Sequence, residues 1–328
     1  MKVEILKMLR ESGDYVSGQQ LCEQFGVSRT AVWKVISQLK EEGYEIEAVR
    51  NKGYRILNTP DVMTEQELKS LLAGRTKWAG QNIHYYKETD STNLRAKQCG
   101  DADEPQGTLV VAEMQSAGRG RRGRSWESPS GENIYMTLLL RPDIEPSKAP
   151  MLTLVMAYSV AVGIRNTTGL DVQIKWPNDI VCGGKKLVGI LTEMSTEIEY
   201  INHVIIGVGI NVNLCEFPEE IRETASSLRL ELGHTVRRAP LIAEILKVFE
   251  ICYEQFLQKQ DLTDIQEAYN ELLVNRGREV RICGAKDSYR AQAVGIDEQG
   301  QLIVCKEDGT REAVYAGEVS VRGVYGYV

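Results

Sequence analysis

Between Gly118 and Trp126 the chain places four arginines and three glycines in nine positions. No buried helix or strand accommodates that composition. Guanidinium groups cannot be buried unpaired, and glycine weakens helix and strand alike. With its approach, the segment reads Gln115-Ser116-Ala117-Gly118-Arg119-Gly120-Arg121-Arg122-Gly123-Arg124-Ser125-Trp126, between two apolar runs that read as strands, Thr108 to Ala112 and Ile134 to Leu140. It therefore connects strands, either at a surface or closed over an anion. Arginine's fixed fork of donors suits carboxylate and phosphate, and glycine lets backbone approach a ligand. A plain solvated loop has the same composition; the expectation here is the anion. The glycines also match the dinucleotide fingerprint G-x-G-x-x-G literally, but that fingerprint needs a helix directly behind it. Pro129 and Gly131 argue against one.

A length of 328 residues suggests two or three domains. With 42% hydrophobic and 26% charged residues the chain has an ordinary soluble composition. Its apolar runs break within about ten residues, short of a membrane span. Met1-Lys2-Val3-Glu4-Ile5-Leu6-Lys7 carries an early acid and no small-residue cleavage site, so it reads as a helix start rather than a signal peptide. Cys22, Cys99, Cys182, Cys215, Cys252, Cys283 and Cys305 form no C-x-x-C pair and read as reduced thiols of a cytoplasmic protein. His84, His203 and His234 are far apart and pair with no cysteine at ligand spacing, which argues against a zinc site built by side chains. The net charge of −7 does not favour nucleic acid for the whole chain, so any DNA contact has to be local.

Such a local site is legible in residues 1–60. Val3, Ile5, Leu6 and Leu9 mark a helix before Gly13; Ser17 caps a second through Phe25; a third runs from about Arg29 to Glu42, burying Val32, Val35, Ile36 and Leu39. Gly26-Val27-Ser28 between the last two makes a helix-turn-helix. Tyr44 to Ile56 alternates and turns at Arg50-Asn51-Lys52-Gly53, a β-hairpin wing. These residues hold nine Lys or Arg against eight Asp or Glu, a net +1 that leaves −8 for the remainder. Six of the nine cations, Arg29, Lys34, Lys40, Arg50, Lys52 and Arg55, fall on the third helix and the wing, the elements that would meet a major groove and its flanking backbone. Ser28, Arg29, Thr30, Trp33, Lys34 and Lys52 are the expected DNA contacts. A winged helix used for protein contacts would leave them plain surface. Thr59-Pro60-Asp61 closes the domain as a linker.

In the central stretch, Thr64 to Arg75 is helical and Ile83 to Thr89 reads as a strand delivering Asp90-Ser91-Thr92-Asn93. Ser91 or Thr92 can cap a helix starting at Leu94, and the same junction can read a neutral polar ligand head. Pro150 to Gly163 is an apolar helix, broken before Thr167. Val172 to Ile180 reads as a strand interrupted by Pro177, and Cys182-Gly183-Gly184-Lys185 as a hairpin turn. Lys186 to Glu193 and Ile205 to Asn213 read as further strands. Lys186, at a strand end, is either a snorkelling surface residue or a point charge for a phosphoryl group. Ala239 to Phe256 and Ile265 to Leu273 are amphipathic helices. After Gly277, Glu279 to Ile282, Tyr289 to Ile296, Leu302 to Cys305 and Glu318 to Arg322 read as short strands of a small barrel.

Five motifs in this order, D-S-T-N at 90–93, Q-S-A-G-R-G-R-R-G-R-S-W at 115–126, W-P-N-D at 176–179, K-L-V-G-I-L at 186–191 and G-V-G-I-N-V-N at 207–213, sit behind the winged helix. Over its whole length the chain resembles the biotin–protein ligases, in particular the bifunctional bacterial type that also represses biotin biosynthesis. The resemblance implies an α+β protein: winged helix-turn-helix (1–60), mixed α/β ligase domain of the class II synthetase-like, lipoate–biotin ligase-like kind (61–274), and SH3-like C-terminal barrel (275–328).

It further implies ATP-dependent formation of biotinyl-5′-adenylate and transfer of biotin to one lysine of a biotin carboxyl carrier domain, such as that of acetyl-CoA carboxylase. Ser91, Thr92, Asn93 and Gln115 look like the contacts to the biotin rings. Arg119, Gly120 and Arg121 look like the covering loop, and Lys186 like the cation near carboxylate and α-phosphate. Arg119, Arg121 and Lys186 are thus the candidate catalytic groups. Trp126, Asn178, Asp179, Asn211 and Arg322 are candidates for the adenylate, with Mg²⁺ arriving on ATP. The resemblance also implies that the adenylate favours a homodimer competent for a two-fold operator. A lipoate or octanoyl ligase on the same scaffold, or a metabolite sensor without catalysis, are the rival readings. The barrel would support ATP and acceptor binding, or serve only as a structural cap.

Overall fold

Capping side chains delimit the first helices where the sequence places them. The computed structural model describes residues 1–197, 200–283, 288–315, 320–323 (backbone only) and 327–328. Helix α1 (Lys2–Ser12) ends on Gly13 in the left-handed region, φ 61°. Helix α2 (Gly18–Phe25) opens with a capping box: Ser17 Oγ accepts from Gln20 N, and the Gln20 side chain accepts from Ser17 N, each at 3.0 Å. Ser28 caps α3 (Arg29–Glu41) by accepting from Ala31 N. Strands β1 (Glu45–Val49) and β2 (Gly53–Asn58) pair antiparallel as the wing. Ile5, Leu6, Leu9, Leu21, Val35, Ile36 and Leu39 build a core separate from that of the rest of the chain.

The winged helix is nevertheless anchored. Arg10 of α1 pairs with Glu67 of α4 (Glu65–Leu72) and donates to Ser70, while Tyr44 Oη donates to Glu67 at 2.6 Å. Glu67 is only 2% exposed, so the pair is one whose breakage costs about 3–5 kcal/mol. The linker is fixed too. Arg238, equally buried, donates from Nε to Asp61 Oδ2 (2.9 Å) and from Nη1 to Glu113 (2.7 Å). Burial alone would weaken its hold on the proton, but the two carboxylates outweigh that and raise its pKa.

The central strands are β3 (Ile83–Tyr86), β4 (Leu109–Ala112), β5 (Ile134–Leu140), β6 (Gln173–Lys175), β7 (Asp179–Cys182), β8 (Lys185–Thr196) and β9 (Ile201–Ile210), with α5 (Thr92–Asp101) and α6 (Met151–Thr168) between them. They form one sheet in the order β3-β4-β5-β9-β8-β7-β6, parallel only between β3 and β4. Helices α7 (Leu228–Leu232), α8 (Arg238–Lys259) and α9 (Thr263–Leu272) follow. Leu138, Leu140, Val188, Ile206 and Val208 of the sheet join the core with α6 and α8. On the opposite face Val110, Leu139 and Ile205 pack with Ala96 and Cys99 of α5. Strand alternation puts Tyr135, Thr137, Gly207 and Gly209 on that second face.

Three sequence expectations need correction. The stretch Val172–Ile180 is two antiparallel strands, Lys175 pairing with Asp179, because the turn falls at Pro177, which has no amide for a ladder. Helix α6 does not break after Gly163. Thr167 and Thr168 bond back to the carbonyls of Gly163 and Ile164, and the helix stops at Gly169, φ 73°. The segment Pro146–Thr168 is thereby long and apolar enough to cross a membrane by length and composition, yet α6 lies mostly buried within the core. Finally, the C-terminal sheet has a strand the reading missed, β13 (Arg311–Val314). With β10 (Glu279–Cys283), β11 (Ser288–Ile296), β12 (Leu302–Cys305) and β14 (Ser320–Gly323) it makes the antiparallel order β13-β12-β11-β10-β14. Glu318 and Val319, expected in the last strand, lie outside the described residues. Trp176 Nε1 donates to Gly300 O (3.0 Å), tying this sheet to the central one.

Candidate active site

The second face of the sheet is covered beyond α5 by the arginine–glycine segment, and a pocket lies between them. Its floor is two cross-strand rows, Tyr135-Gly209-Gly189 and Thr137-Gly207-Leu191. Side chains have been removed from this floor where something else must lie. A Cβ on Gly207 would stand 2.0 Å from Asn93 Oδ1, and one on Gly209 2.6 Å from the Trp126 ring.

One end of the pocket is polar and neutral. Ser91 occupies the N-cap position of α5, as the capping expectation requires, but its side chain makes no cap bond. The helix start is held instead by neighbours: Asp90 accepts from Ser91 N (2.7 Å) and Gln115 Oε1 from Thr92 N (2.8 Å). Thr137 Oγ1 lies 2.8 Å from Thr92 Oγ1 and 2.7 Å from Asn93 Oδ1, and Asn93 Nδ2 donates to Glu193 at 2.7 Å. Gln115 Nε2 donates to Ser128. The Thr92 and Thr137 hydroxyls and the Asn93 and Gln115 amides are each held by a second residue, the preorganisation that recognising a neutral polar head requires.

The other end is cationic. The segment folds back on itself, Trp126 N donating to Gly118 O (3.0 Å) and Gly120 N to Arg124 O (2.7 Å). Gly118 is obligatory here, since a Cβ would meet Trp126 O at 2.3 Å. Arg119, Gly120, Arg121 and Trp126 thereby line the pocket, together with Asn178 and Lys186. Arg121 Nη1 donates to Asn178 Oδ1 (2.8 Å), and burial lowers its pKa, opposed by Asp179. Lys186 Nζ stands 2.6 Å from Asp179 Oδ1 and 5.5 Å from the centre of the Trp126 ring. Between the two ends the walls are Leu191 and the indole, with backbone from Ile190 and Val208, whose side chains face the opposite core. Neutral polar head, apolar middle and positive tail are the three compartments in sequence.

Ser91, Thr92, Asn93, Gln115, Arg119, Gly120, Arg121, Trp126, Asn178 and Lys186, all singled out from sequence, therefore share one cavity. Asp179 sits behind Lys186 as its counter-ion. Asn211 does not line this pocket; it donates to Ser226 O (3.1 Å) and fixes the stretch that pairs with Lys186. The backbone of Arg322 pairs with Arg281 in the C-terminal sheet, and its side chain lies outside the described residues. Sequence reasoning missed Tyr135 and Thr137, although polar residues at i and i+2 within the apolar run I-Y-M-T-L-L-L are a usable signal. It also missed Tyr327, whose hydroxyl donates to Asp179 Oδ2 at 2.5 Å; nothing in the sequence points to it.

Although no histidine lies at ligand spacing from a cysteine along the sequence, the fold brings one pair together. His84, Cys99 and Glu104 lie within 4.8 Å of one another. Glu104 already accepts from Asn82 and pairs with His84, each at 2.7 Å. Burial and the Glu104 charge push the Cys99 thiol up to about 11, which opposes the thiolate that a metal would need. In the winged helix, Arg29, Thr30, Trp33, Lys34 and Lys52 are exposed, whereas Ser28 Oγ is taken up by the cap and Arg55 pairs with Glu47 at 3.0 Å.

Against known families, residues 85–211 match the biotin/lipoate A/B protein ligase family, residues 3–55 an HTH domain, and residues 277–322 the biotin protein ligase C terminal domain. The bifunctional ligase/repressor BirA of Bacillus subtilis (strain 168) is 39% identical over 324 residues, 98% of either chain. The protein of the same name from Escherichia coli (strain K12) is 30% identical over 96% of this chain and 95% of its own. Among solved structures, the biotin protein ligase from Aquifex aeolicus in complex with biotin and ATP superposes with a TM-score of 0.66 at 31% identity, over 74% of this chain and 99% of that one.

Proposed function

The chain belongs to the biotin protein ligases of the bifunctional ligase/repressor type, and from that premise we propose how its own residues do the work. The enzyme joins biotin and ATP into biotinyl-5′-adenylate, transfers biotin to a lysine of a biotin carboxyl carrier domain, and represses transcription through its winged helix. The observation that carries this is the order of chemistries along the pocket. The biotin rings are neutral and polar, its tail is apolar, and its carboxylate meets a phosphate.

Ser91, Thr92, Asn93 and Gln115 bind the ring end, and the glycine floor lets the rings lie on the sheet. A carboxylate oxygen then attacks the α-phosphorus of ATP as the bond to pyrophosphate breaks. Two anions are brought together, so the requirement is positioning and charge neutralisation, supplied by Lys186, Arg119 and Arg121. Trp126 and Asn178 lie where the adenylate would extend. The Asp179 oxygens are already engaged by Lys186, Tyr327 and Asn178, so the residues fit a Mg²⁺ held by the phosphates rather than by a protein cage. Bound there, it would supply neutralisation of phosphate charge. In the second step the acceptor lysine amine attacks the acyl carbon, AMP leaves, an amide forms, and the amine loses its proton to solvent. The mixed anhydride is activated already; the loop needs only to keep water out.

The domain boundaries we propose are 1–60, 61–274 and 275–328, supported by the separate core of the first and the sheet that begins at Glu279 in the last. Ser28, Arg29, Thr30, Trp33, Lys34 and Lys52 face operator DNA, with the Ser28 hydroxyl serving mainly the helix cap. A homodimer formed on adenylate binding would space two such helices for a two-fold site. The setting is cytoplasmic. The test is mass spectrometry of the protein incubated with biotin and ATP, then with an acceptor domain. Bound biotinyl-adenylate and a biotinylated lysine are expected; absence of the adenylate refutes the reading.

A further inference from the structure

Tyr327 lies beyond the last strand and returns to the catalytic pocket. Its hydroxyl donates to Asp179 Oδ2 at 2.5 Å, and the other oxygen of that carboxylate holds Lys186 Nζ at 2.6 Å. Lys175 Nζ sits 3.4 Å from the centre of the Tyr327 ring, within cation–π range. The neighbouring Val328 lies against the turn between β7 and β8, 3.5 Å from where a Cβ of Gly184 would be. The Lys175 contact thus seats the ring, and the hydroxyl of that ring holds a carboxylate.

We propose that Tyr327 is a positioning residue for adenylate formation, which sets the Lys186 ammonium by occupying the second oxygen of its Asp179 counter-ion. The inference rests on Lys186 being the cation beside the carboxylate and α-phosphate. An ammonium on a four-carbon stem is a point charge without preferred direction. With both carboxylate oxygens free it could slide between them or be drawn out of the pocket. With Oδ2 taken by the tyrosine, Oδ1 is the one strong site left, and Lys186 stays over the indole facing the pocket. Burial and the Asp179 charge raise the pKa of Tyr327, so its hydroxyl remains a donor throughout the working range. The C-terminal residues thereby have a part in the chemistry without touching substrate.

The test separates the two half-reactions. In Tyr327→Phe, biotinyl-adenylate formation followed by rapid quench slows roughly tenfold, the scale of one lost hydrogen bond to a charged group. The Kd for biotin stays at the wild-type value, and so does transfer from supplied biotinyl-5′-adenylate to the acceptor domain. Asp179→Asn, which weakens the contact from its other end, shows the same split, and adding Tyr327→Phe to it costs nothing more. Unchanged adenylate formation, equal slowing of both half-reactions, or additive effects in the double variant would each overturn the proposal. A wild-type protein that forms no adenylate would instead overturn the functional reading beneath it.

Discussion

Replacing Gly207 by alanine probes the floor of the pocket without touching its chemistry. The backbone of β9 accepts any residue at this position, so the perturbation is one methyl group. Its Cβ would stand 2.0 Å from Asn93 Oδ1 and 2.9 Å from Cγ, a clash that no small adjustment relieves. The Asn93 side chain has to swing away. It then loses the contact with Thr137 (2.7 Å) and the donation to Glu193 (2.7 Å). The first is worth about 1 kcal/mol. The second involves a charged but exposed partner, at about 1.5 kcal/mol. Together they correspond to about 2.5 kcal/mol of folded-state stability. The displaced amide also no longer meets the ligand, and one lost hydrogen bond of about 1–1.4 kcal/mol should raise the Kd for biotin about five- to tenfold in a calorimetric titration. Alanine is the better strand residue by about 0.5–1 kcal/mol, so the net loss of stability is about 1.5–2 kcal/mol and the Tm should fall by a few degrees. In an Asn93→Ala background the same alanine should cost almost nothing, its collision partner being gone. A Gly207→Ala protein that binds biotin within threefold of wild type would show that Asn93 is not held where a ligand needs it.

Four further outcomes are expected. Arg121→Gly leaves the adenylate less shielded, so release into solution and biotinylation of stray lysines increase; retention equal to wild type refutes the role. Arg238→Ala leaves Glu113 buried without its partner and Asp61 unpaired at the edge of the interior, costing about 3–5 kcal/mol and lowering the calorimetric Tm by roughly 10 °C. Arg29→Ala weakens operator binding at moderate salt in mobility-shift titrations while leaving biotinylation intact, since among the described residues the Arg29 guanidinium bonds only to the Gln19 side chain. His203 is buried, and that burial holds its pKa below the ordinary 6.5. The unfolded chain therefore takes up a proton that the folded chain refuses, so stability falls as pH drops through and below 6.5. Thermal melts of wild type and His203→Gln should diverge in that direction, and parallel curves would refute it.

Much of this molecule was written in local sequence. Ser17, Ser28 and Gly13 set helix ends in the winged helix because caps act over three or four residues. The arginine–glycine run had to be a strand connection, at a surface or closed over an anion, since its charges admit no other place. Ten of the residues singled out from the motifs do share one cavity.

Only the tertiary structure decided the rest, because it depends on groups distant along the chain. Whether Ser91 caps its helix turned on Gln115, which accepts from Thr92 N and takes part of that task away from the serine. Whether a histidine meets a cysteine turned on the pairing of β3 with β4 beneath α5. The glycines of β8 and β9 read as buried strand until Asn93 and Trp126 are seen lying where their side chains would be. Tyr327 reaches Asp179 across 148 residues. Caps, turns and charge exclusion are short-range constraints and travel with the sequence. Which surfaces face each other across a sheet is fixed by packing alone, and the pocket is made of such surfaces.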